Sequence, residues 1–304
     1  MVEGYYGRPI VKPPEWTDLI PTYFFTGGLA GTAASVAFIE RVAKNDDLAR
    51  VMLLGAAGSS AVSAYCLIAD LKRPERFLNM LRVAKITSPM SVGVYIFSAF
   101  GGATFIATAC ELTGVLRPIG RIFEAIAALL GPAMSVYTAV LISDTAIPAW
   151  HYARTSLPRL FAATSALSAG GFGMLAAPAA SAGTARRLAM MGGIGALLAL
   201  ERVHLELGPR QQQAYERGQA HTLSKAARAL TIAGTAGAVF AKRNTAVAKI
   251  AGALLMAGGL AERFAIYRAG CNSAKDPGFV IDAQRETPSN GQSSFIARRT
   301  SASV

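Results

Sequence analysis

The chain contains few of the residues that hold metals. Its three cysteines, Cys66, Cys110 and Cys271, are isolated and form no CxxC pair, so nothing supports an iron–sulfur cluster or a structural zinc site. Of its three histidines only His204 falls within an apolar run, which argues against a haem held by paired histidines. The sequence therefore predicts no metal and no haem in this chain.

Charged residues are also scarce, at 16% of 304 residues against about 25% in soluble domains. A helix needs about 20 apolar residues to cross hydrocarbon. Eight apolar runs near this length cover residues 19–39, 48–71, 90–112, 122–143, 160–181, 188–207, 226–241 and 246–267, the seventh being the weakest. We predict an all-α, polytopic membrane protein with about eight transmembrane helices. Pro132, inside the fourth run, is expected to kink its helix and free a backbone carbonyl.

The eight runs divide evenly. Four crossings return a chain to its starting face, and runs one and five both carry paired glycines, Gly27–Gly28 and Gly170–Gly171. These features predict two four-helix bundles related by a parallel repeat. The predicted domains are an interfacial N-terminal segment 1–18 anchored by Trp16, a first bundle 19–143, a loop 144–159, a second bundle 160–267 and a soluble C-terminal tail 268–304.

The net charge of +12 would suggest a nucleic-acid partner in a soluble protein. Here the basic residues lie mainly in loops and tails, where anionic lipid and membrane orientation account for them. We therefore expect membrane lipid, and no nucleic acid, as a partner. Basic residues are more numerous on the N-terminal face, but the opposite loops are shorter and denser in charge. The orientation of the termini stays open.

Three segments go beyond a generic membrane sequence. Residues 70–93 read DLKRPERFLNMLRVAKITSPMSVG, residues 143–151 read SDTAIPAWH, and residues 268–285 run from RAG through SAKDP to QR. Together they resemble the NrfD/polysulfide reductase family of membrane anchors. The first segment carries most of the resemblance because its pattern is long and unusual. The resemblance extends from about residue 16 to residue 285, with the motifs in the family's order.

This resemblance implies a quinone-reactive subunit of a respiratory oxidoreductase in the prokaryotic inner (cytoplasmic) membrane. The implied partners are a ferredoxin-like, four-cluster iron–sulfur subunit and a molybdopterin or other catalytic subunit. The implied cofactor is a non-covalently bound quinone, menaquinone or ubiquinone. The terminal substrate, the direction of electron flow and any proton pumping stay undetermined.

Quinone chemistry needs groups that hydrogen-bond both carbonyls and relay protons. Asp70, at the end of the second run, is a candidate proton donor or acceptor, and Arg73 and Arg76 would stabilise developing negative charge. Asp144 and His151 bracket the end of the fourth run, and a histidine pKa suits proton exchange near neutrality. The structural alternatives are a helix-end salt bridge between Asp70 and an arginine, a turn at Asp144, and an interfacial anchor at His151.

Four further charged or titratable residues lie late in the apolar runs. Glu201 and His204, spaced i,i+3, share one helix face. Together with Glu262 and Arg263 they either line a proton path or form internal ion pairs.

Four other residues within the apolar runs have two possible roles each. Glu111 and Glu124, just inside runs three and four, are candidates for the outlet of that proton path; the alternative is an interfacial cap. Tyr95 and Tyr137 are interpreted as packing residues in preference to quinone contacts.

Three functions remain open at this point. The first is a quinone-linked electron-transfer anchor. The second is a purely structural anchor that docks soluble subunits through residues 72–89 and the tail 268–290. The third is a small-solute or proton-coupled transporter, favoured by charges within the runs and by helices broken at glycine and proline.

Overall fold

The computed structural model describes residues 10–82, 85, 87–241 and 244–279, without the side chains of residues 76, 78 and 80. All regular structure in these ranges is helical. A 3₁₀ helix covers Pro74–Leu81. The α-helices are α1 (Leu19–Val42), α2 (Asp46–Ala69), α3 (Pro89–Thr113), α4 (Arg117–Ser143), α5 (Pro148–His151), α6 (Leu157–Ala176), α7 (Gly183–Glu206), α8 (Pro209–Gln212), α9 (Gly218–Phe240) and α10 (Thr245–Lys275).

Six helices of the described chain are long and apolar enough to cross a membrane: α1, α2, α3, α4, α7 and α10. The other two long helices, α6 and α9, contain 20 and 23 residues and are not among these six. In α6 the hydroxyls of Thr164 and Ser168 bond to carbonyls of their own helix. The prediction of an all-α, polytopic membrane protein is confirmed, and the count of eight crossings stays a prediction.

The helix ends differ from the apolar runs. Helix α10 continues to Lys275, so the first residues of the segment predicted to be a soluble tail are helical. Asn272, within this extension, donates to the carbonyls of Ala214 and Arg217 at 3.1 Å each. Hydropathy marks the part of a helix that suits lipid, whereas hydrogen bonds to neighbouring loops decide where the helix stops.

The long helices pack in two groups with the same internal scheme. In the first helix group (α1–α4), α1 packs on α2 and α4, and α3 packs on α4. In the second helix group (α6, α7, α9 and α10), α6 packs on α7 and α10, and α9 packs on α10. The groups meet through α1 with α6 and α10, and through α6 with α4. The groups therefore meet along several long helices. The predicted division into separate domains stays a prediction.

Glycines set the closest approach inside each group. A Cβ atom on Gly131 of α4 would collide with the carbonyl oxygen of Gly31 in α1, and one on Gly252 of α10 would collide with that of Gly171 in α6. Small residues allow helix backbones to come this close in membranes. The first and last helices of each group therefore cross at a glycine pair.

Pro132 leaves α4 intact and is compensated from α1. Proline has no N–H to bond the carbonyl four residues earlier, which belongs to Ala128. The Ser35 hydroxyl donates to that carbonyl at 2.9 Å. The carbonyl freed by Pro132 is thus satisfied from α1, and the predicted kink stays a prediction.

Candidate functional site

An apolar cavity of about 150 Å³ lies inside the first helix group, at the end where the chain enters α1. Tyr23 and Phe24 of α1 and Tyr137 of α4 contribute aromatic rings to its wall. Phe77 of the 3₁₀ helix covers it, and Asp70 provides the charged group of its lining. We refer to this space as the apolar cavity.

Asp70 directly follows α2 and holds the chain before α1 in place. Its Oδ1 accepts hydrogen bonds from the Thr17 backbone N–H at 2.9 Å and from the Thr17 hydroxyl at 2.6 Å. Arg73 is exposed, and the side chain of Arg76 lies outside the described residues. Among the described atoms Thr17 donates to Asp70, and the alternative of a salt bridge between Asp70 and Arg76 stays a prediction.

Ion pairs fasten the same N-terminal segment on both sides. Glu15 lies 2.5 Å from the Lys12 ammonium and 2.6 Å from the Lys72 ammonium, whose hydrogen bonds lower the pKa of Glu15 to about 2. Asp18 pairs with Arg268 of α10 at 2.6 Å. The segment is thus connected to the end of α2 and to the second helix group.

Tyr23 carries a buried hydroxyl that lacks a partner. The residue is 2% exposed, and its hydroxyl oxygen has no hydrogen bond to any described atom. Its ring centroid lies 6.1 Å from that of Phe97 and 6.3 Å from that of Tyr137. An unsatisfied buried polar group costs about 1–3 kcal/mol. Sequence reasoning missed Tyr23; the available signal was a tyrosine inside an apolar run, one helix turn from its start.

The wall of the cavity continues as a stack of rings. Trp16 stacks on Trp150 with 5.9 Å between centroids and 15° between planes, and Trp150 stacks on Tyr267 at 6.5 Å. Trp150 is fully buried and donates to the Ile266 carbonyl at 2.8 Å. The Tyr267 hydroxyl donates to the Trp16 carbonyl. Trp16 therefore packs against residues of α5 and α10, and its role as an interfacial anchor stays a prediction.

Asp144 and His151 come together, but away from Asp70. Both are exposed and line, with Val11, an open surface hollow of about 410 Å³. Trp16 lines both the apolar cavity and the neighbouring hollow over residues 11–16. The predicted quinone-site residues thus divide into a cavity part and a water-facing part, with Trp16 between them.

The candidate proton-path residues of the second helix group are dispersed. Glu201 pairs with Arg228 of α9 at 2.7 Å on the surface. The His204 ring lies 6.2 Å from the Tyr215 ring. Glu262 is buried, and its Oε1 has no hydrogen-bond partner among the described atoms.

Arg263 turns towards α6. It is 1% exposed, and its Nη2 donates to the Phe161 carbonyl at 2.9 Å and to the Ser165 hydroxyl at 3.0 Å. Its guanidinium also stacks 3.5 Å above the Phe161 ring centroid. Arg263 therefore joins α10 to α6, and its hydrogen-bond partners are unrelated to Glu201.

On the opposite face Glu111 and Glu124 share one arginine. The side chain of Arg41, 9% exposed, lies 3.2 Å from Glu111, 3.4 Å from Glu124 and 3.0 Å from Asp46. Glu124 also pairs with Arg121 at 3.0 Å. This ion-pair cluster connects α1, α2, α3 and α4, and a role as a proton outlet stays a prediction.

Over the described ranges no group of three or more His, Cys, Asp and Glu side chains is placed to hold a metal ion. The absence of metal from this chain stays a prediction.

A comparison with protein families identifies the family of this chain. The family model described as "Polysulphide reductase, NrfD" matches residues 12–273, from the segment before α1 almost to the end of α10. The chain belongs to the NrfD family. As an NrfD protein it is a multi-pass membrane subunit of the kind found in polysulfide reductase-like complexes. A comparison with curated proteins gives no match.

Proposed function

We propose that the apolar cavity binds the ring of a membrane quinone, menaquinone or ubiquinone, and that the chain exchanges electrons between this quinone and an iron–sulfur partner subunit. The observation that carries the proposal is the buried Tyr23 hydroxyl, which has no protein partner and belongs to a cavity walled by aromatic rings. Such a cavity suits a flat apolar ring with a hydrogen-bonding oxygen.

The residues present fit such a ligand. Tyr23 would donate a hydrogen bond to a carbonyl oxygen, and Phe24, Phe77 and Tyr137 would enclose the ring. A bound quinone supplies a carrier for two electrons and two protons. Asp70 is placed to hold or release a proton at its carboxylate, because Thr17 fixes the orientation of that side chain.

Trp16 and the residues beyond it have a separate task. Trp16 would separate the cavity from water, while Asp144 and His151 are exposed and line a surface hollow. We assign to them the exchange of protons with the aqueous phase, and to Arg73 and Arg76 the stabilisation of negative charge near Asp70. The remaining charged candidates would serve a proton path only if water connected them. They are Glu201, His204, Glu262, Arg263, Glu111 and Glu124.

The proposed partners follow from the family. A ferredoxin-like, four-cluster iron–sulfur subunit would dock on the face that carries residues 11–16 and 144–151, since the cavity lies at that end. A molybdopterin or other catalytic subunit would lie beyond it. The proposed location is the prokaryotic cytoplasmic membrane.

The test uses the tagged chain, extracted in mild detergent with the subunits that co-purify. We expect Asp70→Asn to lower quinone-linked turnover by about 100-fold, the usual scale of general acid–base catalysis. The complex should stay assembled, because the Asn carbonyl oxygen still accepts from Thr17. His151→Ala should also abolish most of the turnover, and Asp47→Asn, at an exposed carboxylate in the first turn of α2, is the matched surface control.

Three outcomes would contradict the proposal. Normal turnover in Asp70→Asn and His151→Ala would remove their roles. A chain that extracts alone and moves a solute into proteoliposomes would be a transporter. Partners without any quinone-linked turnover would indicate a purely structural anchor.

A further inference from the structure

The apolar cavity is too small for a whole membrane quinone. Its volume is about 150 Å³, whereas pockets that enclose a drug-sized ligand measure about 300–1,000 Å³. A ring can be enclosed in this space, but a long prenyl tail cannot. If the proposed function holds, the tail must leave the cavity through a definite opening.

The weakest side of the first helix group is the seam between α2 and α3. These two helices contact each other much less than α1 contacts α2 or α4, or α3 contacts α4. At the cavity the seam is lined by Leu67 and Leu71 on the α2 side and by Met90 and Val94 on the α3 side. All four are apolar, and Met90 is 50% exposed at the outer surface.

The 3₁₀ helix closes the seam at the level of the N-terminal face. It contacts both α2 and α3, and Phe77 extends from it into the cavity lining. The Tyr95 hydroxyl of α3 donates to the Leu81 carbonyl at 2.8 Å, which fixes the end of this helix to α3. An opening of the seam below the 3₁₀ helix would face the side of the helix bundle and not the N-terminal face.

We propose that the seam between α2 and α3, below the 3₁₀ helix, is the lateral port through which the quinone ring enters and in which the prenyl tail lies. The occupant is an isoprenoid chain, because the lining side chains Leu67, Leu71, Met90 and Val94 offer apolar contacts only. The polar groups Asp70 and Tyr23 mark the ring end of the cavity. This inference rests on the proposed function.

The test compares two ligands in lipid nanodiscs that hold the chain with its co-purifying subunits. The ligands are a naphthoquinone without a tail and the same naphthoquinone with a long prenyl tail. Binding is followed by quenching of tryptophan fluorescence, since Trp16 lines the cavity and Trp150, the second of the two tryptophans, stacks on it. The readout is the ratio of the two dissociation constants.

Met90→Lys places a charge in the port, and Val92→Lys places one on the same helix at a 38% exposed position outside the cavity lining. We expect Met90→Lys to weaken binding of the tailed quinone roughly tenfold relative to binding of the tail-less one. This ratio corresponds to about 1.4 kcal/mol. Val92→Lys should leave the ratio within about twofold.

In the unaltered protein, a photoreactive group on the first isoprene unit of the tail, next to the ring, should label residues near 67–71 and 90–94. The port would be overturned if Met90→Lys weakened binding of both ligands equally or affected neither. Labelling confined to α1 and α4 would also overturn it. Quenching by neither quinone in the unaltered protein would overturn the quinone site itself. The two failures are thus distinguishable.

Discussion

The two helix groups share a scaffold and differ in what they enclose near the N-terminal face. Both cross their first and last helices at a glycine pair, Gly31 with Gly131 and Gly171 with Gly252. The first group then surrounds an apolar cavity walled by aromatic rings. In the second group, helix α10 buries Glu262 and Arg263 near this face. The glycine crossing therefore sets the architecture without determining the chemistry at this end.

The connections between helices explain part of this difference. In the second group the connection between α7 and α9 is tied down: the Gln212 amide donates to the carbonyls of His204 and Leu207 at 2.7 and 3.0 Å. Tyr215, in the same connection, is 3% exposed. In the first group the 3₁₀ helix bridges α2 and α3 and leaves room beneath Phe77. The buried connection between α7 and α9 fills this end of the second group. The 3₁₀ helix of the first group leaves space for a ligand.

The largest effect is expected from substitutions at the glycine crossings, which both helix groups share. Gly131→Val and Gly252→Val each place a side chain against a backbone carbonyl of the facing helix, which cannot move as a side chain can. We expect each to reduce the yield of folded complex by about tenfold or more, measured by size-exclusion chromatography. Gly102→Val is the matched control, because its Cβ has no atom within 4 Å.

The two results should agree. Loss of the protein in Gly131→Val together with normal yield in Gly252→Val would show that the glycine crossings are not equivalent, and the shared scaffold would have to be abandoned.

A smaller effect sharpens the comparison between a buried and a surface ion pair. Arg41→Gln leaves Glu124, whose side chain is 3% exposed, without one of its two cations. We expect this change to lower the free energy of unfolding by about 3 kcal/mol. Glu201→Gln removes a pair whose partners are both 52% exposed, and should cost less than about 1 kcal/mol. Thermal inactivation of the detergent-extracted complex measures both; equal shifts would contradict the assignment.

Much of the fold follows from the sequence because hydropathy directly marks apolar helices. The runs located α1–α4, α7 and α10, and the position of Pro132 predicted a free carbonyl, to which the Ser35 hydroxyl donates. The runs did not predict that α10 reaches Lys275. That end depends on hydrogen bonds from Asn272 to a loop distant in sequence.

The candidate site was predictable only in part. Asp70 is conspicuous as a carboxylate at the end of an apolar run, and the structure places it in the cavity wall. Its partner Thr17 and the unpartnered hydroxyl of Tyr23 depend on three-dimensional packing, which no local pattern reveals. Trp150 was similarly hidden: an aromatic residue near a helix end resembles an interfacial anchor, but here it is fully buried.

The most direct test of the account measures quinone binding to Tyr23→Phe by quenching of Trp16 and Trp150 fluorescence. Tyr65→Phe is the control, because the Tyr65 side chain is 68% exposed and lies outside the cavity lining. Loss of one hydrogen bond should weaken binding by up to about tenfold in Tyr23→Phe, whereas the affinity of Tyr65→Phe should stay unchanged. Unchanged affinity in Tyr23→Phe, or equal weakening in both variants, would contradict a quinone ring held in the apolar cavity.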